Sequence, residues 1–245
     1  MILLVAGAAA GLIGSAGGIT SLVSYPALLG VGLPAHAANI ANNVALVACW
    51  PGSALGSRPE LRGKGPWLAR WLGVAALGAC AGAGLLLCTP SHVFVRVVPF
   101  LVAFGSLSLL FAPRIMARRR HRAGSDHTLL LTVGLLPLSL YNGYFGAGSG
   151  VMTLTLLLVL VDADILGANA LKNMIIGAGV LVSAAIFIIF GSVHWSSAVP
   201  LGLGMLAGSR VGPTVARRLP PDLLRWLIAA LGFALAVDLS IHPGA

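Results

Sequence analysis

The chain has 245 residues, of which 58% are hydrophobic and only 9% are charged. That is too little polar surface to cover a water-soluble globule of this size, so the composition excludes a soluble fold and predicts a membrane protein. The formal charge of +9 would suggest a nucleic-acid partner in a soluble protein. Here the basic residues cluster in short segments between apolar runs, which is the pattern of membrane topology, and no nucleic-acid partner is expected.

Apolar segments of about 20 residues or more follow one another along the chain, and each is long enough to cross about 30 Å of hydrocarbon as a helix. The alternation that strands of a membrane barrel require is absent. In chain order the predicted segments are residues 1 to 33, 35 to 56, 66 to 88, 91 to 112, 127 to 161, 164 to 190, 195 to 216 and 221 to 241. The predicted fold class is therefore an all-α polytopic membrane protein.

These segments form two copies of one unit. Residues 38 to 43 (ANIANN) align with residues 168 to 173 (ANALKN) at an offset of 130. The same offset superposes Gly78 on Gly208. A common register over such a length indicates an internal duplication. We therefore predict a single membrane domain, residues 1 to 245, that consists of repeat one (1 to 112), a basic linker (113 to 126) and repeat two (127 to 245).

The first segment of each repeat is interrupted by glycines. Residues 11 to 18 match residues 143 to 150 at an offset of 132. A segment of 33 residues is long for one crossing, whereas about 14 residues on each side of the glycines would reach the middle of a membrane. We expect each first segment to re-enter as two half-helices that meet at a glycine tip, followed by three transmembrane helices.

The basic residues favour this arrangement. With two re-entrant segments, twelve Lys and Arg residues lie on the cytoplasmic side and only Arg96 lies outside. With eight full crossings, Arg217, Arg218 and Arg225 would fall opposite the other basic loops. We predict six crossings of the cell membrane, two repeats of inverted orientation and a cytoplasmic linker at residues 113 to 126.

The glycine tips are candidate binding sites. Irregular backbone at membrane depth is tolerated only where it is buried in protein or lines a cavity. A half-helix that begins near the middle of the membrane offers free amides and a positive dipole end to an anion. The alternative is close packing of small residues against neighbouring helices.

Each repeat also has polar side chains on the predicted transmembrane helix that follows its glycine-interrupted first segment. Residues at i, i+3 and i+4 share one helix face, and both repeats have such a face, formed by Asn39, Asn42 and Asn43 in the first and by Asn169, Lys172 and Asn173 in the second. Buried carboxamides are costly unless they are hydrogen-bonded. They either tie helices together or donate hydrogen bonds to the oxygens of an anionic substrate.

Lys172 and Arg210 are the basic residues that this topology leaves inside the membrane, with no acidic residue at comparable depth. An anionic substrate would supply the missing counter-charge; the alternative is that the side chains reach the interface. The predicted substrate-binding residues are Gly14, Ser15, Gly17, Gly18, Thr20, Asn39, Asn42, Asn43, Gly146, Gly148, Ser149, Gly150, Asn169, Lys172, Asn173 and Arg210.

Enzyme chemistry is not expected. Residues 148 to 150, Gly-Ser-Gly, are similar to the serine motif of an intramembrane protease, but that chemistry needs a histidine base within hydrogen-bond reach of the serine. The six histidines all lie at predicted segment ends or in loops. No cofactor and no metal ion are expected.

The glycine motifs resemble those of the TauE/SafE, or sulfite exporter, family. Gly11, Gly14, Gly17 and Gly18 followed by Pro26 are similar to the family's pattern in the first half. In the second half, the stretch from Asn142 to Gly150 followed by that from Asn169 to Asn173 resembles many bacterial members, with Ser149 and Leu158 as departures from the pattern. The resemblance implies transport of a sulfur-containing anion such as sulfite or sulfoacetate.

The predicted function is therefore secondary transport of a small anion by alternating access, with the site between the repeats. Two alternatives stay open, an anion channel and a structural or signalling membrane protein that transports nothing. The expected partners are the small anionic substrate and the lipid bilayer, and a homodimer is left open.

Overall fold

The structure, a computed structural model, describes residues 1 to 118, 127 to 161 and 165 to 216, together with positions 230, 233, 234, 237 and 241. These residues are helical and include no strand, which confirms the all-α prediction for them. Residues 119 to 126 of the predicted linker and most of the predicted segment 221 to 241 lie outside the described residues. The helices are α1 (Ile2–Gly17), α2 (Thr20–Gly30), α3 (Ala35–Leu46), α4 (Cys49–Gly56), α5 (Arg58–Leu61), α6 (Gly65–Cys88), α7 (Ser91–Arg118), α8 (His127–Tyr144), α9 (Ser149–Leu160), α10 (Ile165–Phe190) and α11 (Trp195–Ala216).

Both first segments are broken at their glycines. Helix α1 ends directly before Gly18, which has a φ of 78°, and α2 begins two residues later. Helix α8 ends before Gly146 and Gly148, whose φ values are 79° and 77°. Residues that have a side chain rarely adopt this left-handed backbone conformation, whereas glycine adopts it without steric cost. The glycines therefore interrupt both segments where the sequence predicts an interruption.

The second predicted segment, residues 35 to 56, is not one helix, and this prediction is wrong. It divides into α3 and α4 around Val47 and Ala48, where the N–H groups of Val47, Ala48 and Trp50 bond to carbonyls three residues back. Pro51 explains the division, because proline has no N–H and its ring crowds the carbonyl four residues earlier. The corresponding position in repeat two is Leu181, and α10 continues through it without interruption.

Three described helical stretches are long and apolar enough to cross a membrane, namely Gly65–Cys88, Ser91–Ser108 and Ile165–Phe190. Ile2–Ala16 and Ser149–Leu160 are apolar but shorter. The number of crossings and the inverted orientation of the repeats stay predictions.

The two repeats pack crosswise. Among the described helices, the most extensive contacts join α1 to α11 and α6 to α8, so that the first helix of each repeat packs on the third element of the other. A Cβ placed on Gly11 would lie 2.8 Å from the Cα of Met205, and one placed on Gly143 would lie 2.8 Å from the Cα of Ala79. Small residues thus let the helix backbones meet, as is common where membrane helices associate.

The larger apolar cluster surrounds the helix breaks. Tyr25 of α2 packs edge-on against Phe145, which follows α8, with 5.3 Å between the ring centroids, and both residues are buried. Because such aromatic pairs have a preferred geometry, this contact holds the second half-helix of repeat one against the break of repeat two.

Candidate functional site

The two helix breaks meet each other. A Cβ placed on Gly18 would lie 2.6 Å from the carbonyl carbon of Gly150, the second residue of α9, so the two backbones are in direct contact. The N–H of Gly18 turns back to the carbonyl of Gly14, 2.6 Å away. Neither α2 nor α9 has a side-chain cap at its N-terminus. Leu22 of α2 and Ser149 and Val151 of α9 donate to carbonyls three residues back. This leaves the N–H groups of Thr20, Ser21 and Gly150 at the two helix starts without a backbone acceptor among the described residues.

A cavity of about 60 Å³ lies at this junction. It is lined by Gly14, Ser15, Gly18, Thr20, Ser21, Leu46, Cys49, Trp50, Ser53, Asn142, Gly146, Ser149, Gly150, Lys172, Asn173, Ile176, Gly177 and Val180. These residues come from both repeats and include one cation and no carboxylate. The helix starts, the hydroxyl groups and the lysine give the cavity the donors that an anion requires.

Lys172 is the charged group of the cavity, and its side chain is only 1% exposed. Its Nζ donates a hydrogen bond to Oδ1 of Asn169, 2.7 Å away, which is its one acceptor within the described residues. The single carboxylate among those residues belongs to Glu60 on α5 and does not line the cavity. A buried ammonium group is costly unless it is paired, so the cavity beside Lys172 favours an anion.

Three asparagines of the two polar faces join the repeats instead. Asn39 Nδ2 donates to the carbonyl of Tyr144 at the end of α8, 2.8 Å away. Asn169 and Asn173 both donate to the carbonyl of Ser15 near the end of α1, at 3.0 and 3.2 Å. The last carbonyls of a helix lack intrahelical donors. The polar face of each repeat therefore caps the broken first helix of the other.

The remaining two asparagines of repeat one form local hydrogen bonds, although Oδ1 of Asn43 is buried without a partner among the described residues. Asn42 accepts a hydrogen bond from Ser24 and donates one to Ser21, whose Oγ is 3.2 Å away. Asn43 Nδ2 donates to the carbonyl of Asn39, 3.2 Å away. These contacts fit the alternative in which the carboxamides tie helices together, and they place Asn42 one residue from the cavity wall.

The structure brings part of the predicted site together. The predicted residues that line the cavity are Gly14, Ser15, Gly18, Thr20, Gly146, Ser149, Gly150, Lys172 and Asn173. Gly17 ends α1 directly before the break. Asn39, Asn42, Asn43, Gly148 and Asn169 surround the junction without lining the cavity, and Arg210 is exposed on α11, away from the cavity lining.

Sequence reasoning missed the contribution of α4 and of Asn142. Cys49, Trp50 and Ser53 reach the cavity because the helix divides before them. Pro51 was the available signal, since a proline inside an apolar helix predicts a kink. Asn142 accepts a hydrogen bond from the hydroxyl of Ser149, 2.8 Å away, and its place one turn before the glycines could have indicated this role.

Comparisons with known proteins find relatives that are named as probable membrane transporters. The family model for sulfite exporter TauE/SafE matches residues 2–239. The chain is 28% identical over 171 residues to "Probable membrane transporter protein ORF9" of Sinorhizobium sp, a match that covers 69% of this chain and 65% of that relative's length. It is 24% identical over 252 aligned positions to "Probable membrane transporter protein" of Haemophilus influenzae, covering 99% of this chain and 95% of the relative. No solved structure matches the chain significantly.

Proposed function

The chain belongs to the sulfite exporter TauE/SafE family of membrane transporters, and we propose that it carries sulfite, or a sulfur oxyanion of similar size, across the cell membrane as a secondary transporter. The observation on which this depends is the cavity at the junction of the two helix breaks. It contains a buried lysine, no carboxylate and two uncapped helix starts. This combination favours a bound anion over a cation or a neutral solute.

The volume of the cavity favours an inorganic anion. One buried water needs roughly 10–15 Å³, so 60 Å³ holds about four to six heavy atoms. The sulfur and three oxygens of sulfite fit within this range. Sulfoacetate, with an additional methylene and a carboxylate, exceeds it unless the cavity opens.

The crosswise packing of the repeats supports alternating access as the mechanism. The substrate site lies between two similar units that meet through glycines and reciprocal asparagine caps. Rocking of one unit against the other would expose the site to one side of the membrane and then to the other.

Sulfite exchange in proteoliposomes tests this function. Radiolabelled sulfite should exchange with saturable kinetics under anaerobic conditions, and Lys172→Gln should reduce exchange by about 10-fold or more, because it removes the cation beside the substrate. Lys64→Gln, at the start of α6 and outside the cavity lining, is the matched control and should exchange at the wild-type rate.

Two outcomes would contradict the proposal. Wild-type flux that does not saturate with sulfite would indicate a channel, and no flux above that of protein-free liposomes would indicate a protein that does not transport this anion. Equal sulfite exchange by the Lys172→Gln variant and the wild type would contradict the proposed substrate site beside Lys172.

A further inference from the structure

The cavity contains a hydrogen-bond donor that the sequence does not single out. Trp50, the second residue of α4, lines the cavity, and its Nε1–H is buried without a hydrogen-bond partner in the described residues. Buried donors are nearly always satisfied, and an unsatisfied one costs about 1–3 kcal/mol. An unpartnered indole N–H at the wall of a cavity that also contains hydroxyl, carboxamide and ammonium groups therefore indicates a group that binds there.

Repeat two is shaped to receive the indole ring. A Cβ placed on Gly177 of α10 would lie 2.6 Å from Cγ and 2.7 Å from Nε1 of Trp50. Any residue larger than glycine at this position would displace the ring. The glycine thus holds the indole N–H at the cavity without itself offering a polar side chain.

The backbone of α4 places the ring on this wall. The chain leaves the helical path of α3 at Val47, where Pro51 prevents a continuous helix, and Trp50 lies in the first turn after the interruption. The Ser53 hydroxyl donates to the carbonyl of Trp50, 3.1 Å away, and fixes this turn. At the offset of 130, the position of repeat two that corresponds to Trp50 is Val180, so this donor has no counterpart there.

Lys172 and Trp50 then form a pair of donors from opposite repeats. Asn173, Ile176, Gly177 and Val180 form one face of α10 along the cavity, with the spacing of a helical stripe. Lys172 precedes this stripe in the sequence and also lines the cavity. Gly177, the seat of Trp50, lies five residues further along α10, a rise of about 7.5 Å. An anion between them meets a charged donor at one end and a neutral, directional donor at the other.

We propose that Trp50 is a substrate-binding residue whose indole N–H donates a hydrogen bond to an oxygen of the transported oxyanion, and that Gly177 is required to seat its ring. This inference rests on the proposed function, because it concerns the same cavity and the same class of ligand. An oxyanion suits the pair because its acceptor oxygens are spread around a central atom, so that two donors on different elements can each reach one.

Sulfite titrations of the purified full-length protein under anaerobic conditions, followed by calorimetry, test this proposal. Trp50→Phe keeps an aromatic ring on Gly177 but removes the N–H, and it should raise the Kd for sulfite about 10-fold or more, the usual effect of losing a hydrogen bond to a charged group. Trp71→Phe is the matched control, because it removes the same indole N–H from a buried tryptophan that does not line the cavity. Its Kd should equal that of the wild type.

A second variant tests the seat independently of Trp50. Gly177→Ala should displace the indole and raise the Kd by a similar factor, and the double variant Trp50→Phe, Gly177→Ala should bind no more weakly than the weaker single variant. Two substitutions that remove the same interaction are not additive. Additive losses, or a Gly177→Ala protein with wild-type affinity, would overturn the role of the seat.

The result for the wild type separates the two proposals. If wild-type protein binds sulfite and folded Trp50→Phe binds it equally well, the role of Trp50 is wrong while the proposed function stands. If wild-type protein binds no sulfite, both are wrong. The thermal unfolding midpoint of each variant, measured alongside, identifies loss of binding that is due to unfolding, and in that case the Gly177→Ala titration decides.

Discussion

At the scale of single residues, the pair of Asn169 and Lys172 is the most informative feature. Asn169 accepts a hydrogen bond from the ammonium group through Oδ1 and donates to the carbonyl of Ser15 through Nδ2. One carboxamide therefore positions the cation and joins the repeats at the same time. It does so without adding a negative charge, so the proposed anionic substrate would supply the counter-charge of Lys172.

Asn169→Asp would change this balance. The new carboxylate would lie within hydrogen-bond distance of Nζ of Lys172 and would neutralise it, so we expect the Kd for sulfite to rise about 10-fold to 100-fold. Calorimetric titration with sulfite measures the change. A variant that binds sulfite as tightly as the wild type would show that the charge of Lys172 is not used in binding.

Asn39→Asp is the control for this substitution. Asn39 also donates to the end of a broken helix, the carbonyl of Tyr144, but it does not contact Lys172. Both substitutions remove a helix cap, but only the carboxylate at 169 gains a cation beside it, so Asn39→Asp should lower the thermal stability at least as much as Asn169→Asp. Only Asn169→Asp should lose sulfite affinity beyond what that loss of stability explains.

At the scale of secondary structure, the contact between the two helix breaks determines the site. Helix α1 has 16 residues and α2 has 11, whereas the sequence predicts about 14 on each side. The break is therefore displaced toward the end of the segment, at the point where Gly18 meets Gly150. The glycines of the segment predict a break in this region, whereas the contact with Gly150 is visible only in the tertiary structure.

A comparison of Gly18→Ala with Gly32→Ala separates the energetic cost of the contact with Gly150 from the cost of the left-handed backbone conformation. Both glycines have positive φ values, 78° and 88°, but a Cβ on Gly32 would meet no atom within 4 Å. Gly32→Ala should cost about 1–2 kcal/mol for the left-handed conformation. Gly18→Ala should cost about 1–3 kcal/mol more, because its Cβ overlaps the backbone of Gly150.

Thermal or denaturant unfolding of the purified variants measures this difference. We expect the Gly18→Ala protein to unfold at a clearly lower midpoint than the Gly32→Ala protein and to lose sulfite exchange. Equal midpoints for the two variants would mean that the breaks do not press on each other, and the cavity between them would lose its basis.

At the scale of the whole molecule, the predicted re-entrant topology can be tested at the two ends of the first segment. Ile2 and Val31 are both exposed and flank the broken pair α1 and α2. If the segment enters and leaves on one side, cysteines at these positions lie on the same side of the membrane. If the segment spans the membrane, they lie on opposite sides.

Labelling of Ile2→Cys and Val31→Cys with a membrane-impermeant maleimide distinguishes these arrangements. The background should lack Cys49, Cys80 and Cys88, of which the last two are exposed. We expect both new cysteines to react in right-side-out vesicles and neither in inverted vesicles. Reaction of the two positions from opposite sides would exclude the re-entrant segment and the inversion of the repeats that follows from it.

The sequence by itself determined the membrane environment and the all-α fold class, while the internal duplication stays a prediction. Composition alone excludes a water-soluble fold, because too few polar residues are available to cover its surface. The repeated glycines marked where helices break, since only residues without a side chain tolerate the backbone there. The repeated polar faces, which contain Asn39 in repeat one and Lys172 in repeat two, indicated the helices that follow the broken first segments.

Only the tertiary structure decided which of these residues meet. Periodicity places Asn39, Asn169 and Lys172 on helix faces, but whether a face lines a cavity or joins a neighbour depends on the partner helix. Asn39 and Asn169 each cap a helix of the opposite repeat, whereas Lys172 lines the cavity. Arg210 lies on the same helix, α11, as several buried residues, and yet it is exposed. Trp50 reaches the cavity through a kink and a glycine in the other half of the chain, a contact that depends on packing between residues far apart in sequence.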